Sequence, residues 1–442
     1  MSELDLPLWA TTMLLVVPLL ALLFAGMYVA VALGVVSFIG FYLMLGGNMP
    51  VLIGDTTFNL TNNFVLSAVP LFIFMGSLIL HTGFSSGLYK GVSVFSRYVP
   101  GNLLHSNIIA CTIFSACSGS SVATAAAIGT VALPEMESQG YERKITAGSL
   151  AAGGTLGPII PPSLGFIIYG AITETSVGQL FFAGAIPGLI LSGMFMSYIV
   201  VRVVLDPSLV PSKKDSALPF VQKVTTVLAA WPIFGIMLTV LGGIYLGWTT
   251  PTEAAAIGCT ATMVLAAIYR VLKWEGIKDA LREAVHTASM LMFIVCSAMM
   301  LGVVLANLGI PKAIVAFVLG SNVDATMVLM LLFAMYFVLG MFFDGISIMI
   351  ITLPVVYPVI VNIGYDPIWF GVALMILIEV GLLTPPVGLN LYVIHGISKQ
   401  RPFSEVAIGA APFFVVMLVG LVIITVWPEL ALWLPGKMIP AS

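Results

Sequence analysis

Residues 157–162 read Gly157-Pro158-Ile159-Ile160-Pro161-Pro162, and the double proline returns in the second half as Thr384-Pro385-Pro386. Both stretches interrupt long apolar runs, 145–174 and 367–397. Proline has no N–H and clashes with the carbonyl four residues back, so a double proline cannot continue a helix ladder. Each run is therefore predicted to be a broken helix. Irregular backbone at membrane depth survives only inside protein or along a wet cavity. The two breaks are the positions most informative about function.

Two further apolar runs, 104–136 and 325–361, are interrupted by Ser118-Gly119-Ser120-Ser121 and by Asp344-Gly345-Ile346-Ser347. Working outward, the landmarks keep one spacing. Gly83 and Gly309 are 226 residues apart, as are Gly119 and Gly345. Gly140-Tyr141 and Gly364-Tyr365 are 224 apart, Pro161-Pro162 and Pro385-Pro386 also 224, and Pro187 and Pro412 225. A fixed offset over five landmarks is the mark of an internal repeat. The expected organisation is an N-terminal scaffold segment, 1–60, followed by a first copy, 61–204, containing span, arm, hairpin 104–136, broken helix 145–174 and span. Connecting spans, one of them 225–247, and arms, within 205–284, lead to a second copy, 285–434, with a first span, hairpin 325–361, broken helix 367–397 and a last span, 411–434.

The composition agrees with a chain that lives in lipid. Hydrophobic residues make up 60% of its 442 residues and charged residues 8%, against roughly 25% charged in soluble domains. The apolar runs reach the about 20 residues that a spanning helix needs. The acidic start, Met1-Ser2-Glu3-Leu4-Asp5, and a run continuing to about 45 argue for a retained segment rather than a signal peptide. Segment 7–45 reads as one tilted helix or two. The net charge of −3 and the lack of basic clusters give no sign of nucleic acid. Cys111, Cys117, Cys259 and Cys296 sit singly in apolar runs and read as small hydrophobes.

If both hairpins re-enter without crossing, 14 of the 16 Lys and Arg share one side, and only Lys312 and Lys437 fall opposite. The positive-inside rule makes that side cytoplasmic. Hairpin 1 then enters from the cytoplasm and hairpin 2 from the periplasm. Five crossings separate the starts of the two copies, which inverts the second. The expected fold class is an all-α polytopic membrane protein with inverted repeats, two re-entrant hairpins and two broken helices, a transporter architecture. Stretches 84–98, 212–224 and 273–286 mix charge with apolar residues and read as interfacial helices.

The tip residues Ser118, Ser120 and Ser121 offer hydroxyls beside a flexible Gly119, hard oxygen ligands that suit an alkali cation. The break at Gly157, Pro158, Pro161 and Pro162 frees carbonyls for the same purpose. The alternative is that Ser and Gly merely allow close helix packing. Asp344 is an ionisable group in a membrane hairpin, costly and usually functional; otherwise it caps a helix at an interface. Gly345, Ser347, Thr384 and Pro385 lie around it in the pattern. Glu379 is either a ligand or a water-facing group. Ser163, Tyr169, Asn390 and Tyr392 follow the breaks and are candidates for substrate contact. Glu253 reads as charge at a helix N-terminus, and His81 and His395 as packing residues. No phosphate-binding glycine loop, HExxH or activated serine is present, so no enzyme is indicated.

At these residues the chain resembles a known family, the large membrane (M) subunits of tripartite ATP-independent periplasmic (TRAP) transporters. The resemblance rests on Ser115–Ala125, Gly153–Ser163 and Gly381–Asn390 and covers nearly the whole chain. It implies an ion-transporter-superfamily elevator fold. It implies sodium at Ser118, Gly119, Ser120 and Ser121 with Gly157, Pro158 and Pro161, and at Asp344, Gly345 and Ser347 with Thr384 and Pro385. Sodium would be the coupling ion and no other cofactor is expected. Substrate, a small organic acid such as a dicarboxylate, sugar acid or sialic acid, would lie between the tips on Ser120, Ser121, Thr124, Ser163 and Asn390. The implied partners are a periplasmic substrate-binding (P) protein and a small four-helix membrane (Q) subunit, expected as a separate chain, in the bacterial inner membrane. The runner-up is a stand-alone ion-coupled carrier of the same superfamily. An intramembrane enzyme relying on Asp344 and a purely structural scaffold are the other classes.

Overall fold

A computed structural model describes residues 7–45, 49–211, 219–320, 323–398 and 402–437. Lys213, Lys214, Lys399 and Arg401, and the start of the 212–224 stretch, lie outside the described residues. Among the described residues all regular structure is helical.

The N-terminal segment is two helices, α1 (Leu8–Phe24) and α2 (Val29–Leu45), followed by α3 (Met49–Thr61). Gly26, at φ +80°, sits in the turn, and a Cβ on Gly40 of α2 would approach Leu15 of α1 at 3.4 Å, so the two pack as an antiparallel pair. The chain continues through α4 (Ala68–Thr82), α5 (Phe84–Ser96), α6 (Leu103–Ser118), α7 (Ser121–Gln139), α8 (Arg143–Gly154), α9 (Leu164–Thr173) and α10 (Val177–Leu205). Three helices connect the halves: α11 (Phe220–Leu228), α12 (Trp231–Tyr245) and α13 (Pro251–Ile268). Then come α14 (Trp274–Asn307), α15 (Ile310–Gly320), α16 (Ala325–Gly340), α17 (Gly345–Asn362), α18 (Pro367–Leu382), α19 (Leu389–Ile397), α20 (Phe403–Val426) and the short α21 (Glu429–Leu432). The order from α4 to α10 recurs from α14 to α20.

Local chemistry sets these boundaries. Gly119 (φ +61°) ends α6 and Gly140 (φ +83°) ends α7, left-handed positions that glycine takes without Cβ strain. Ser120, Ser163, Asp344 and Asp366 cap α7, α9, α17 and α18 with side-chain acceptors, satisfying N–H groups that a helix start leaves unpaired. Thr250 and Glu253 form a reciprocal capping box on α13, the helix-start role expected for Glu253.

Three expectations need correction. Stretch 273–286 is not a separate interfacial helix. It is the first part of α14, one 34-residue helix that at 1.5 Å per residue runs about 50 Å, well beyond a hydrocarbon core of about 30 Å. The expected span 225–247 is bent by 42° between α11 and α12. The last span begins at Phe403 rather than 411 and closes at Val426, with α21 as a separate turn.

Among the described residues six helices are long and apolar enough to cross a membrane, or seven if the bent pair α11–α12 counts as one. The interior is built around the first arms of the two broken helices. Every residue of α8 from Ile145 to Gly154 and of α18 from Trp369 to Leu382 is buried. α8 is made of small residues, and its Gly148 meets Gly409 of α20 so closely that a Cβ would lie 2.0 Å from the Gly409 carbonyl oxygen. Small residues letting helix backbones touch is how helices pack where no water drives them together.

Candidate functional site

Each predicted interruption is a real one. α6 and α7 are separated by Gly119-Ser120, α16 and α17 by Met341–Asp344, α8 and α9 by 155–163, α18 and α19 by 383–388. The interruptions of both helix pairs line one cavity of about 410 Å³.

At the first break, tip and broken helix are locked together. Leu164 N–H donates to the Gly119 carbonyl at 3.3 Å. A Cβ on Gly119 would lie 2.8 Å from the Pro162 carbonyl oxygen, and one on Gly157 2.6 Å from the Ser120 carbonyl. The tip Ser118–Ser121 thus lies against Gly157 and Pro162, with Pro158 and Pro161 in the same break of the chain. The Ser118 hydroxyl shares a 2.7 Å hydrogen bond with that of Thr124, and Ser120 Oγ accepts from Ala123 N–H at 3.4 Å. Ser118 through Ser121 and Pro158 face the cavity. Thr124 and Ser163 are fully buried and point elsewhere: Thr124 to Ser118, and Ser163 onto the Phe166 N–H that it caps.

The second break is looser. Asp344 and Gly345 face the cavity, and Asp344 Oδ2 accepts from Ser347 N–H at 2.9 Å. Asp344 therefore caps α17, yet on the cavity wall rather than at an outer interface. The Ser347 hydroxyl is buried without a partner. The tip is tied to its broken helix by Val387 N–H donating to the Met341 carbonyl at 3.2 Å, and by the close crossing of Gly340 with Gly381. Thr384 turns its hydroxyl back onto the Val380 carbonyl at 2.8 Å, and Pro385 is exposed. These two do not join Asp344 on the cavity wall.

The structure shows the surroundings of Glu379 and adds two groups, Ser77 and Glu283, that the sequence reading left out. Glu379 of α18 lies on the wall and is only 2% exposed. Ser121 and Asn390 act on its carboxyl, while Glu379 Oε2 and both amide atoms of Asn390 are buried without a full hydrogen bond. Opposite stand Ser77 of α4 and Glu283 of α14, which are hydrogen-bonded to each other. The signal for them was helical spacing: Ile73, Gly76, Ser77 and Leu80 share one face of α4, and Glu283, Thr287, Met290 and Leu291 one face of α14. Among the described lining residues there are three carboxylates, Glu283, Asp344 and Glu379, and no Lys, Arg or His. Tyr169 donates to the Pro367 carbonyl at 2.7 Å and serves packing between the halves. Tyr392 stacks near Phe403, as does His395.

Residues 16–430 match the family model described as "Tripartite ATP-independent periplasmic transporter, DctM component". The chain is 35% identical to the C4-dicarboxylate TRAP transporter large permease protein DctM of Pseudomonas aeruginosa, over 86% of this chain and 88% of that protein. It is 30% identical to the sialic acid TRAP transporter large permease protein SiaM of Vibrio cholerae, over 94% and 96%. In fold it resembles the crystal structure of the YdaH transporter of Alcanivorax borkumensis, with a TM-score of 0.61 at 14% identity over 95% of this chain and 99% of that one.

Proposed function

The chain belongs to the DctM component family of the tripartite ATP-independent periplasmic transporters, and from that membership we propose that it imports a small organic acid across the bacterial inner membrane, driven by sodium. A periplasmic binding protein delivers the acid, and a separate small membrane subunit supports the scaffold helices. The helix pairs α6–α7 and α16–α17 are re-entrant hairpins of two inverted copies. With the broken helices α8–α9 and α18–α19 they form a transport domain that moves as an elevator against α2, α4, α13 and α14.

The observation that carries this reading is the charge of the cavity. Its wall holds three carboxylates and no basic side chain among the described residues. An organic anion entering a low-dielectric space of that sign would be strongly disfavoured. A cation has to come with it, and the hydroxyls and carbonyls at the two breaks are the ligands hard cations choose. One sodium sits at Ser118–Ser121 with Gly157 and the carbonyls around Pro158 and Pro161. The other sits at Asp344, Gly345 and Ser347. Four helix N-termini, of α7, α9, α17 and α19, offer N–H groups near the breaks for the carboxyl group of the cargo. The cavity adjoins the C-terminal half of α4 and the N-terminal half of α14, the cytoplasmic halves by the charge count, so this is the inward-facing state.

The test is uptake into proteoliposomes containing this chain with its small subunit, under an inward sodium gradient, with and without the binding protein. Its tightest ligand is the labelled cargo. Uptake that needs both is the expected result. Uptake with sodium alone would replace the tripartite reading with a stand-alone carrier. Uptake driven only by protons would overturn both sodium sites.

A further inference from the structure

Glu379 is the most deeply buried of the three cavity carboxylates and, like Glu283, belongs to neither half-site. It sits on α18, between the hairpin tip of the first half, which brings Ser121, and the second arm of the broken helix, which brings Asn390. Its side chain faces the cavity, is 2% exposed and leaves Oε2 without a partner. The amide oxygen of Asn390 beside it is also unpartnered. The other titratable groups on the cavity wall are themselves acids, Asp344 at the break before α17 and Glu283 on α14. On the elements packed against α18, Asp366 caps α18 itself, Tyr336 of α16 bonds Thr352 and Tyr169 of α9 bonds the Pro367 carbonyl, while His395 of α19 and Glu405 of α20 each leave a buried atom without a partner but do not line the cavity. No cationic side chain lines the cavity, among the described residues, to balance the Glu379 charge.

A bare carboxylate in this position is expensive, because burial removes its hydration and nothing in the wall replaces it. We propose that Glu379, flanked by Ser121 and Asn390, is a third cation site of the cavity, adjoining the first break site through Ser121, and that its carboxylate holds one sodium ion. The site joins the two halves of the chain, since its ligands come from the first hairpin tip and from both arms of the second broken helix. Filling it neutralises the wall on which the cargo anion must rest. The proposal rests on the transport reading only in calling this the cargo cavity.

The experiment counts cations on the purified full-length chain in lipid nanodiscs, without cargo, so its outcome is independent of whether uptake is tripartite. Bound radioactive sodium per chain at saturation is measured for the wild type and for Glu379→Gln. In parallel, the infrared carbonyl band of a neutral carboxyl group is recorded for both. If sodium is the occupant, Glu379→Gln binds one sodium fewer per chain. An unchanged sodium count overturns the proposal, and one neutral-carboxyl band lost in Glu379→Gln would then show that Glu379 is simply protonated. Glu379→Asp, which keeps the acid, should retain the wild-type sodium count. Should Glu379→Gln not yield monodisperse protein, Asn390→Ser is measured the same way and should weaken sodium binding about tenfold, an unchanged affinity again overturning the proposal.

Discussion

The two breaks descend from one pattern but are built differently. At the first, the chain from 159 to 169 is buried throughout, the tip glycine is in a left-handed conformation, and Gly119 and Gly157 each press on the backbone of the other segment. At the second, Pro385 and Pro386 are exposed, and Gly345 faces a side chain, Ile378, rather than backbone. The first break offers hydroxyls and no carboxylate, and the second offers Asp344. A rigid neutral site and an accessible charged one are suited to different tasks. On the proposed reading the first would fix the geometry of the cavity, and the second would answer to whether a cation is present.

The largest expected effect separates the two tip glycines. Gly119→Ala places a Cβ 2.8 Å from a carbonyl oxygen at a positive φ. Left-handed strain of about 1–2 kcal/mol then adds to overpacking of about 1–3 kcal/mol. A loss of about 2–5 kcal/mol in unfolding free energy and loss of sodium-driven uptake are expected. Gly345→Ala carries only the overpacking cost, about 1–3 kcal/mol, because Gly345 is not in a left-handed conformation. Denaturation curves on the two variants check the order, and equal destabilisation would remove the contrast in rigidity.

Next comes Asp344, where capping and ion binding can be separated. Asparagine caps about as well as aspartate, whereas alanine costs about 1 kcal/mol. Asp344→Asn should therefore fold like the wild type and need roughly tenfold more sodium for half-maximal uptake, a loss of about 1.4 kcal/mol in cation binding. Asp344→Ala should show both losses. A wild-type sodium requirement in Asp344→Asn would leave Asp344 as a cap alone. A smaller effect is expected at the first break, where Ser118→Ala removes the hydrogen bond to Thr124 at a cost of about 1 kcal/mol, read as a lower unfolding temperature.

Much of this was legible from residues. Double prolines cannot continue a helix ladder, and the Ser-Gly and Asp-Gly interruptions weaken a helix where they fall, so all four breaks could be read directly. What packing decides was not legible. Stretch 273–286 has the charge pattern of a surface helix, but nothing between Trp274 and Asn307 stops a helix, so α14 runs through. The bend before Trp231 carries no glycine, and its close contacts are with Gly87 and Gly91 of α5, which lie against Ala229 and Ala230. Thr384 looked like a ligand for Asp344, but a hydroxyl in the last turn of a helix readily bonds the carbonyl four residues back, and it does. Glu379 carried no sign of its surroundings, because its neighbours Ser121 and Asn390 come from opposite halves of the chain.

The smallest change to the protein gives the most direct comparison of the two breaks. Cys117 immediately precedes the first tip and is fully buried, while Leu389, just after the second break, lines the cavity and is half-buried. In a Cys296→Ser background the remaining native thiols, Cys111 and Cys259, are also buried. A water-soluble maleimide should then modify Leu389→Cys and leave Cys117 untouched over the same interval, since a thiol reacts as its exposed thiolate. Adding sodium should slow the reaction at Leu389→Cys, because an ion bound at Asp344 and Gly345 draws that tip toward its broken helix. Sodium should change nothing at Cys117, where the tip is already held by Leu164 and pressed against Gly157. If Cys117 reacts as fast as the introduced thiol, the first tip opens as freely as the second. The division into one rigid and one responsive site would then fail, whatever the ion count at either.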